Sequence, residues 1–498
     1  MISRVFGMIR DIILARLFGA GLGFDVFIVA FRIPNFLRRL FAEGGFSQAF
    51  IPVLSEYRET RSKTEVQNLI DHTCATLGTI LFLISIIGVI ASPILISVFA
   101  PGFIEKSEKF ELASDMLRIT FPYIFFISLT AFAGAILNTY RSFSIPAFTP
   151  VLLNISLIIC AIWLAPQFPE DKQIIALAWG VFFAGIVQLL FQLPFLLRLK
   201  LLPRPRFNRD KEGVTRIMRL MLPTLFAVSI TQINLLIDTL IASFLQTGSI
   251  SWLYYSDRIV ELPLGVFGIA LATVILPNLS AEYTKGDTRA YGNILTWAMV
   301  IVLLISLPAA LGLVLLSAPI LTTLFQYAEF TNNDVVMSSK SLIAYSLGLP
   351  GFILIKVLSS AFFSRQNTVT PVKIAAVAMV SNIILNVILV APLGHAGLAL
   401  ASSISAYIGV ILLFLKLRDS GFSVKSSSVF KILLKITISI TVMSVLLFFA
   451  VPEAGVWFEL GVYQRVLQLT TWVMLGTLIY IITLWLLGVR LDQITSPS

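Results

Sequence analysis

Arg4, Arg10 and Arg38 lie among apolar residues with no matching supply of carboxylates beside them. A guanidinium carries its N–H donors in a planar fork that fits two oxygens of one phosphate. Such a set suits an anionic, phosphate-bearing ligand held by charge-assisted bonds. Other charges come in pairs. Arg39 and Glu43 are four residues apart and Arg258 and Glu261 three apart, spacings that bring side chains together on one helix face. Each pair reads either as a structural ion pair or as a gate latch. Arg4 and Asp11, seven apart, also share a face.

A second constellation is richer in neutral oxygens. Asp238 has Asn234 one turn before it, while Asn382 and Asn386 are four apart and Ser402 follows on the next helix. A carboxylate with neutral oxygens in a dry pocket suits a sodium ion. The competing reading is that these groups only hydrogen-bond to each other and hold helices together, a common role for buried polar clusters in membranes. No cofactor is required by anything else in the chain. His72 and His395 are the only histidines, and Cys74 and Cys160 sit in apolar runs as small core residues.

The elements that position these groups follow from composition. The 498 residues are 57% hydrophobic and 12% charged, with mean hydropathy +0.93. Soluble domains carry about 25% charged residues. The chain therefore reads as an all-α polytopic membrane protein, and its continuous apolar runs argue against a β-barrel. The N-terminus lacks a clean signal-peptide core. Roughly fourteen spans are expected, near 2–19, 24–56, 66–99, 110–139, 146–165, 173–198, 213–246, 251–283, 289–317, 335–364, 369–391, 395–417, 428–450 and 464–488. Pro34, Pro52 and Gly44-Gly45 predict a bend in the second.

Loop charge sets the orientation. Connections on the side of the first terminus are rich in Lys and Arg, above all LRLKLLPRPRFNRDKEG from Leu197 to Gly213. The opposite connections offer only Lys106, Lys109, Lys172, Lys340 and Arg465. Both termini are thus expected in the cytoplasm. The same cations account for the net charge of +10, so no nucleic-acid partner is needed.

The chain also repeats itself. Asp11 to Gly21 aligns without a gap on Asp238 to Gly248, Arg32-Ile33 falls near Arg258-Ile259, and IPVLS at Ile51 falls on LPNLS at Leu276. Helices 1–6 and 7–12 therefore read as two parallel six-helix lobes, residues 1–200 and 213–420, joined by a basic linker at 201–212. Residues 421–498 supply two more helices outside the repeat. An arginine at a helix centre costs roughly 2.5–3.5 kcal/mol on insertion scales. The first helix, with Arg4, Arg10, Asp11 and Arg16, must be shielded from lipid. A net-positive cavity between the lobes is the simplest arrangement.

SRVFGMIRD, FGAGLGFDVFIVAFRIPNFLRRLFAEGGFSQAFIPVLSEY, FPYIFFISLTAFAGAILNTYRSFSIPAFTPVLLNI and WLYYSDRIVELPLGVFGIALATVILPNLS resemble the MurJ (MviN) family of lipid II flippases, within the multidrug/oligosaccharidyl-lipid/polysaccharide exporter superfamily. The resemblance spans nearly the whole chain. It implies a bacterial inner-membrane transporter, with lipid II crossing to the outer leaflet for peptidoglycan synthesis. It places the family's essential arginines on Arg4, Arg10, Arg38 and Arg258, its acidic residue on Asp25, and a polyprenyl-tail groove on the last two helices. The expected partners are lipid II and membrane lipids, with a monomer working beside the cell-wall synthesis machinery. Family members usually extend further ahead of the SRV motif. Rival classes are a membrane enzyme acting on polyprenyl-linked sugars and a cation-coupled exporter of another such saccharide or of drugs. The first needs a catalytic carboxylate or metal constellation and a sizeable outer domain; the second favours a carboxylate-rich cavity.

Overall fold

The computed structural model describes residues 2–39, 46–206, 212–419 and 426–489; among them the regular structure is helical, with no strand. The chain forms two compact units, Met1–Ser251 and Trp252–Ser498. The first contains α1 (Ile2–Phe18), α2 (Leu22–Arg38), α3 (Ser47–Thr60), α4 (Lys63–Ile90), α5 (Ser92–Phe99), α6 (Ser107–Thr120), α7 (Tyr123–Thr139), α8 (Ser144–Ile159), α9 (Ile175–Arg198) and α10 (Glu212–Ser243). From the boundary on follow α11 (Ser249–Pro263), α12 (Ile269–Lys285), α13 (Thr288–Leu315), α14 (Ser317–Phe325), α15 (Asn332–Phe363), α16 (Val369–Leu393), α17 (His395–Asp419), α18 (Ser426–Ala450), α19 (Ala454–Glu459) and α20 (Val462–Leu486).

Helices occupy the stretches read as spans from sequence. Eleven of them, among the described residues, are long and apolar enough to cross a membrane, so the expected fourteen is not reached by that measure. The reason is visible in α1 and α2. Each has 17 residues, a rise of about 26 Å against roughly 30 Å of hydrocarbon, and each carries charge. Proline sets several breaks. Pro122 separates α6 from α7, and Pro263 precedes a π-turn at Leu264–Gly268 that leads into α12. The bend expected at Gly44-Gly45 lies outside the described residues.

In the first unit α2 is the core helix. Every residue from Phe24 to Ala30, Asp25 included, is buried, as are Ile33 and Pro34, so this part of the helix lies against protein on all sides. It packs on α6, α7 and α9, while α1 packs on α8. Thr120 donates its hydroxyl to the Ala30 carbonyl at 2.9 Å. Gly102 permits the turn after α5 to touch α10: its N–H donates to Ser243 Oγ at 3.0 Å, and a Cβ there would stand 2.4 Å from the Ser243 carbonyl oxygen. The described start of the basic linker is tied to α4. Asp71, 1% exposed, accepts from the Arg204 N–H at 2.8 Å, and Gln67 donates to the Leu202 carbonyl at 3.0 Å.

In the second unit α15 and α17 approach so closely at Gly348 that a Cβ would lie 2.4 Å from Ser403 Oγ, the small-residue packing used between membrane helices. Helices α18 and α20 join through Ile436, Ile440, Met443, Leu447, Tyr480 and Leu484, with Leu304, Leu307 and Leu311 of α13 against them. Tyr480 donates to the Leu304 carbonyl at 2.8 Å. Two cations read from sequence as loop charges are in fact buried. Lys109 is 2% exposed, and Arg465 is 6% exposed. Arg465 donates to the carbonyls of Trp457, Gln326 and Phe458, so it satisfies the ends of α14 and α19. Both cysteines are free thiols.

Candidate functional site

The cationic groups of the first unit start with Arg10, 7% exposed. Its Nε and Nη2 donate to Asp11 Oδ1 at 3.0 and 2.7 Å, and its Nη1 donates to Asn154 Oδ1 at 2.9 Å. Asn154, on α8, also donates to the Ser3 carbonyl at 3.2 Å. Arg10, one of three arginines with no equal supply of nearby carboxylates, takes the one beside it in the chain, because the long arginine side chain folds back across the helix. Asp11, 1% exposed, was expected on the face of Arg4; it is engaged by Arg10, while Arg4 is exposed. The outcome is a guanidinium clamped from two directions by α1 and α8.

Arg38, at the end of α2, is half-buried and donates Nε to Asn35 Oδ1 at 2.8 Å. It lines a cavity of about 360 Å³ shared with α3, α7, α8 and α9. Arg32, one face round, donates to Thr239 of α10. Arg39 is half-buried; its expected partner Glu43 lies outside the described residues.

Asp25 is 1% exposed and fully engaged. Its Oδ2 accepts from the Gly248 N–H at 2.7 Å and faces Lys109 Nζ at 3.4 Å. Its Oδ1 accepts from both the N–H and the hydroxyl of Ser251, at 2.9 and 2.6 Å. Ser249 begins α11, so this carboxylate sits on the unsatisfied N–H groups of a helix N-terminus, where negative charge is favoured. Read from sequence, Lys109 has only a loop role, and Gly248, Ser251 and Asn154 have no site role. Nothing local marks them, since each works through a contact distant in the chain.

In the second unit Arg258 and Glu261 form the expected pair, Nη1 to Oε2 at 2.6 Å, with side chains 33% and 46% exposed. The Arg258 guanidinium also lies over the Tyr254 ring, 4.8 Å from its centre. Asn382, Asn386 and Ser402 come together as read. Asn382 Nδ2 donates to Ser402 Oγ at 3.2 Å, and Asn386 Nδ2 donates to Asn382 Oδ1 at 3.1 Å. Asp238, half-buried, belongs to the first unit. No group of three or more His, Cys, Asp or Glu side chains among the described residues is placed to hold a metal; the sodium reading draws on one carboxylate, Asp238, and neutral oxygens.

The profile of the family "Lipid II flippase MurJ" matches residues 14–463. A "Probable lipid II flippase MurJ" of Vibrio cholerae is 46% identical over 505 aligned positions, covering 100% of this chain and 96% of that protein. The chain belongs to the MurJ family. A solved structure titled "Lipid II flippase MurJ, inward closed conformation" matches with a TM-score of 0.82 at 29% identity, over 97% of this chain and 96% of that one. An inward-facing multidrug transporter of the MATE family, in the MOP superfamily, matches with a TM-score of 0.70 over 84% and 95% of the two chains. At 17% identity that likeness concerns the fold alone.

Proposed function

We propose that this chain is a transporter that moves lipid II, the polyprenyl-diphosphate-linked peptidoglycan precursor, from the cytoplasmic to the outer leaflet of the bacterial inner membrane by alternating access. The observation that carries the reading is likeness to lipid II flippases over nearly the whole chain, in a chain that places Arg4, Arg10, Arg38 and Arg258 on membrane-protein helices. Arginine there is expensive and fits a diphosphate. Arg10 and Arg258 are the principal diphosphate ligands, with Arg4 and Arg38 completing the cationic set. The Asp11–Arg10–Asn154 arrangement presets the angle of one guanidinium.

Asp25 is the gate residue in this reading. It fixes the connection between α10 and α11, so a transport cycle that shifts α11 must release its contacts. Arg39, Glu43 and Glu261 serve as portal charges. Both termini face the cytoplasm, which the basic linker and its neighbouring loops support. Helices α18 and α20 receive the polyprenyl tail. The protein works as a monomer and sodium adds a second driving force through Asp238, Asn382, Asn386 and Ser402.

The test is genetic. The gene is supplied as the sole copy in cells depleted of their own lipid II flippase. Restored growth and shape support the reading. Failure to restore them, with a gain in drug resistance, would identify a drug exporter instead.

A further inference from the structure

Asn154 stands where α8 meets α1, and both ends of its carboxamide are used on α1. Its Oδ1 accepts from Arg10 Nη1 at 2.9 Å, and its Nδ2 donates to the Ser3 carbonyl at 3.2 Å. Asn154 is 6% exposed, so little water competes for these bonds. The two demands are opposite. A guanidinium only donates and a backbone carbonyl only accepts, so the group between them must accept at one end and donate at the other. A carboxamide does both. A carboxylate of the same shape would accept from Arg10 but repel the Ser3 carbonyl, and a leucine of similar size would do neither.

The sequence of α1 suits this contact. Ser3, Gly7 and Arg10 are four and then three residues apart and share one helix face. Gly7 leaves the middle of that face low: a Cβ there would stand 3.9 Å from Asn154 Nδ2. Helical side chains lean toward the N-terminus, which brings the Arg10 guanidinium back to an amide that also reaches Ser3. The two partners of Arg10 then act differently. Asp11 takes Nε and Nη2, but it is the next residue of the same helix and travels with Arg10. Asn154 belongs to another helix, so its bond sets where the guanidinium stands relative to the rest of the first unit. A forked, charge-assisted contact to phosphate is directional, and groups that hold a ligand must be placed to within about 0.5 Å. The register of α1 on α8 therefore decides how well the fork of Arg10 meets phosphate oxygens.

We propose that Asn154 is a positioning residue for the diphosphate: by bonding the Ser3 carbonyl and the Arg10 guanidinium together, it locks α1 on α8 in the register that presents Arg10 to phosphate. The proposal rests on the lipid II reading above, in which Arg10 binds the diphosphate, and adds the residue on which that binding depends. Asn154 acts through Arg10, not on the phosphate itself.

The test is a double-mutant cycle read in binding. The full chain in lipid nanodiscs is offered a polyprenyl diphosphate as the probe. Asn154→Leu should weaken binding about tenfold, the scale of a hydrogen bond to a charged group. Arg10→Ala should weaken it at least as much, and Asn154→Leu should add nothing to Arg10→Ala. Asn154→Ala closes the same cycle if the leucine variant fails to fold. Thermal unfolding in the same nanodiscs reports stability separately. A packing role alone would lower the unfolding temperature and leave the affinity of the folded protein unchanged, which overturns the proposal. Losses that add in the double variant would also overturn it, because Asn154 would then act without Arg10. If the unmodified protein does not bind the probe, or Arg10→Ala binds it unchanged, the reading of Arg10 as a phosphate ligand fails and the proposal with it. If Arg10→Ala loses affinity while Asn154→Leu keeps it, only the positioning role fails.

Discussion

Asp25 and Ser251 meet twice: one carboxylate oxygen accepts from the serine N–H at 2.9 Å and from its hydroxyl at 2.6 Å. The other oxygen holds Gly248 and Lys109. A single buried carboxylate thus ties together α2, α6 and the first turn of α11. Such a group is conditional by nature. It is stable only while all its donors are in place, and removing any of them exposes an uncompensated charge.

That dependence is measurable as a coupling. Asp25→Ala strands Lys109 in an apolar site and should destabilise the protein by about 3–5 kcal/mol. Adding Lys109→Ala should recover a substantial part of the loss. Thermal unfolding of the two single variants and the double variant in detergent supplies the cycle. Strictly additive losses would show that the two charges do not depend on each other.

The arginines should separate transport from stability. Arg258→Ala breaks a partly exposed pair with Glu261, worth about 0.2–1 kcal/mol at most, so unfolding should hardly move while growth as sole copy is lost. Arg10→Lys should also fail to support growth, because an ammonium cannot reproduce the fork shared between Asp11 and Asn154. Immunoblots of membrane fractions report protein level in each case. Normal growth of both Arg10→Ala and Arg258→Ala would remove these residues from the binding role.

Much of this molecule was legible from sequence because hydropathy and helical spacing are local signals. The long spans such as α13, α15 and α16 and the Arg258–Glu261 pair follow from residues within a few turns of each other. So does the Asn382–Asn386 contact. The rest depends on chain-distant contacts. Asp25 reaches Ser251 across more than two hundred residues, and Asn154 reaches Arg10 from another helix. Helical geometry puts Asp11 and Arg4 on one face but does not show that the flexible Arg10 side chain folds back to engage that carboxylate. Lys109 and Arg465 look like ordinary loop cations until burial shows what they hold.

The tail-groove reading predicts where a lipid probe reacts. Phe448, Phe449 and Trp485 of α18 and α20 are 70%, 81% and 70% exposed, an apolar surface that a polyprenyl chain can cover. A photoreactive polyprenyl diphosphate should label peptides from α18 and α20. Labelling confined to α4–α9 would refute the groove.

The sodium proposal is separable from the membrane potential. An inside-negative potential already favours inward return of a cationic empty site, at about 2.3 kcal/mol per charge per 100 mV. Transport at fixed potential should rise when a sodium gradient is added, and Asp238→Asn should lose that response. A rate indifferent to sodium in the unmutated protein would leave Asp238, Asn382 and Asn386 as packing groups.

Movement of a diphosphate-linked saccharide lipid across a bilayer by these arginines can be read in a purified system. Reconstituted liposomes carrying fluorescent lipid II, with an impermeant reagent to report the leaflet, read that step alone. Leaflet exchange well above protein-free liposomes, abolished by Arg10→Ala and by Arg258→Ala, is the predicted result. Exchange no faster than in protein-free liposomes, or exchange that persists in both variants, would contradict it.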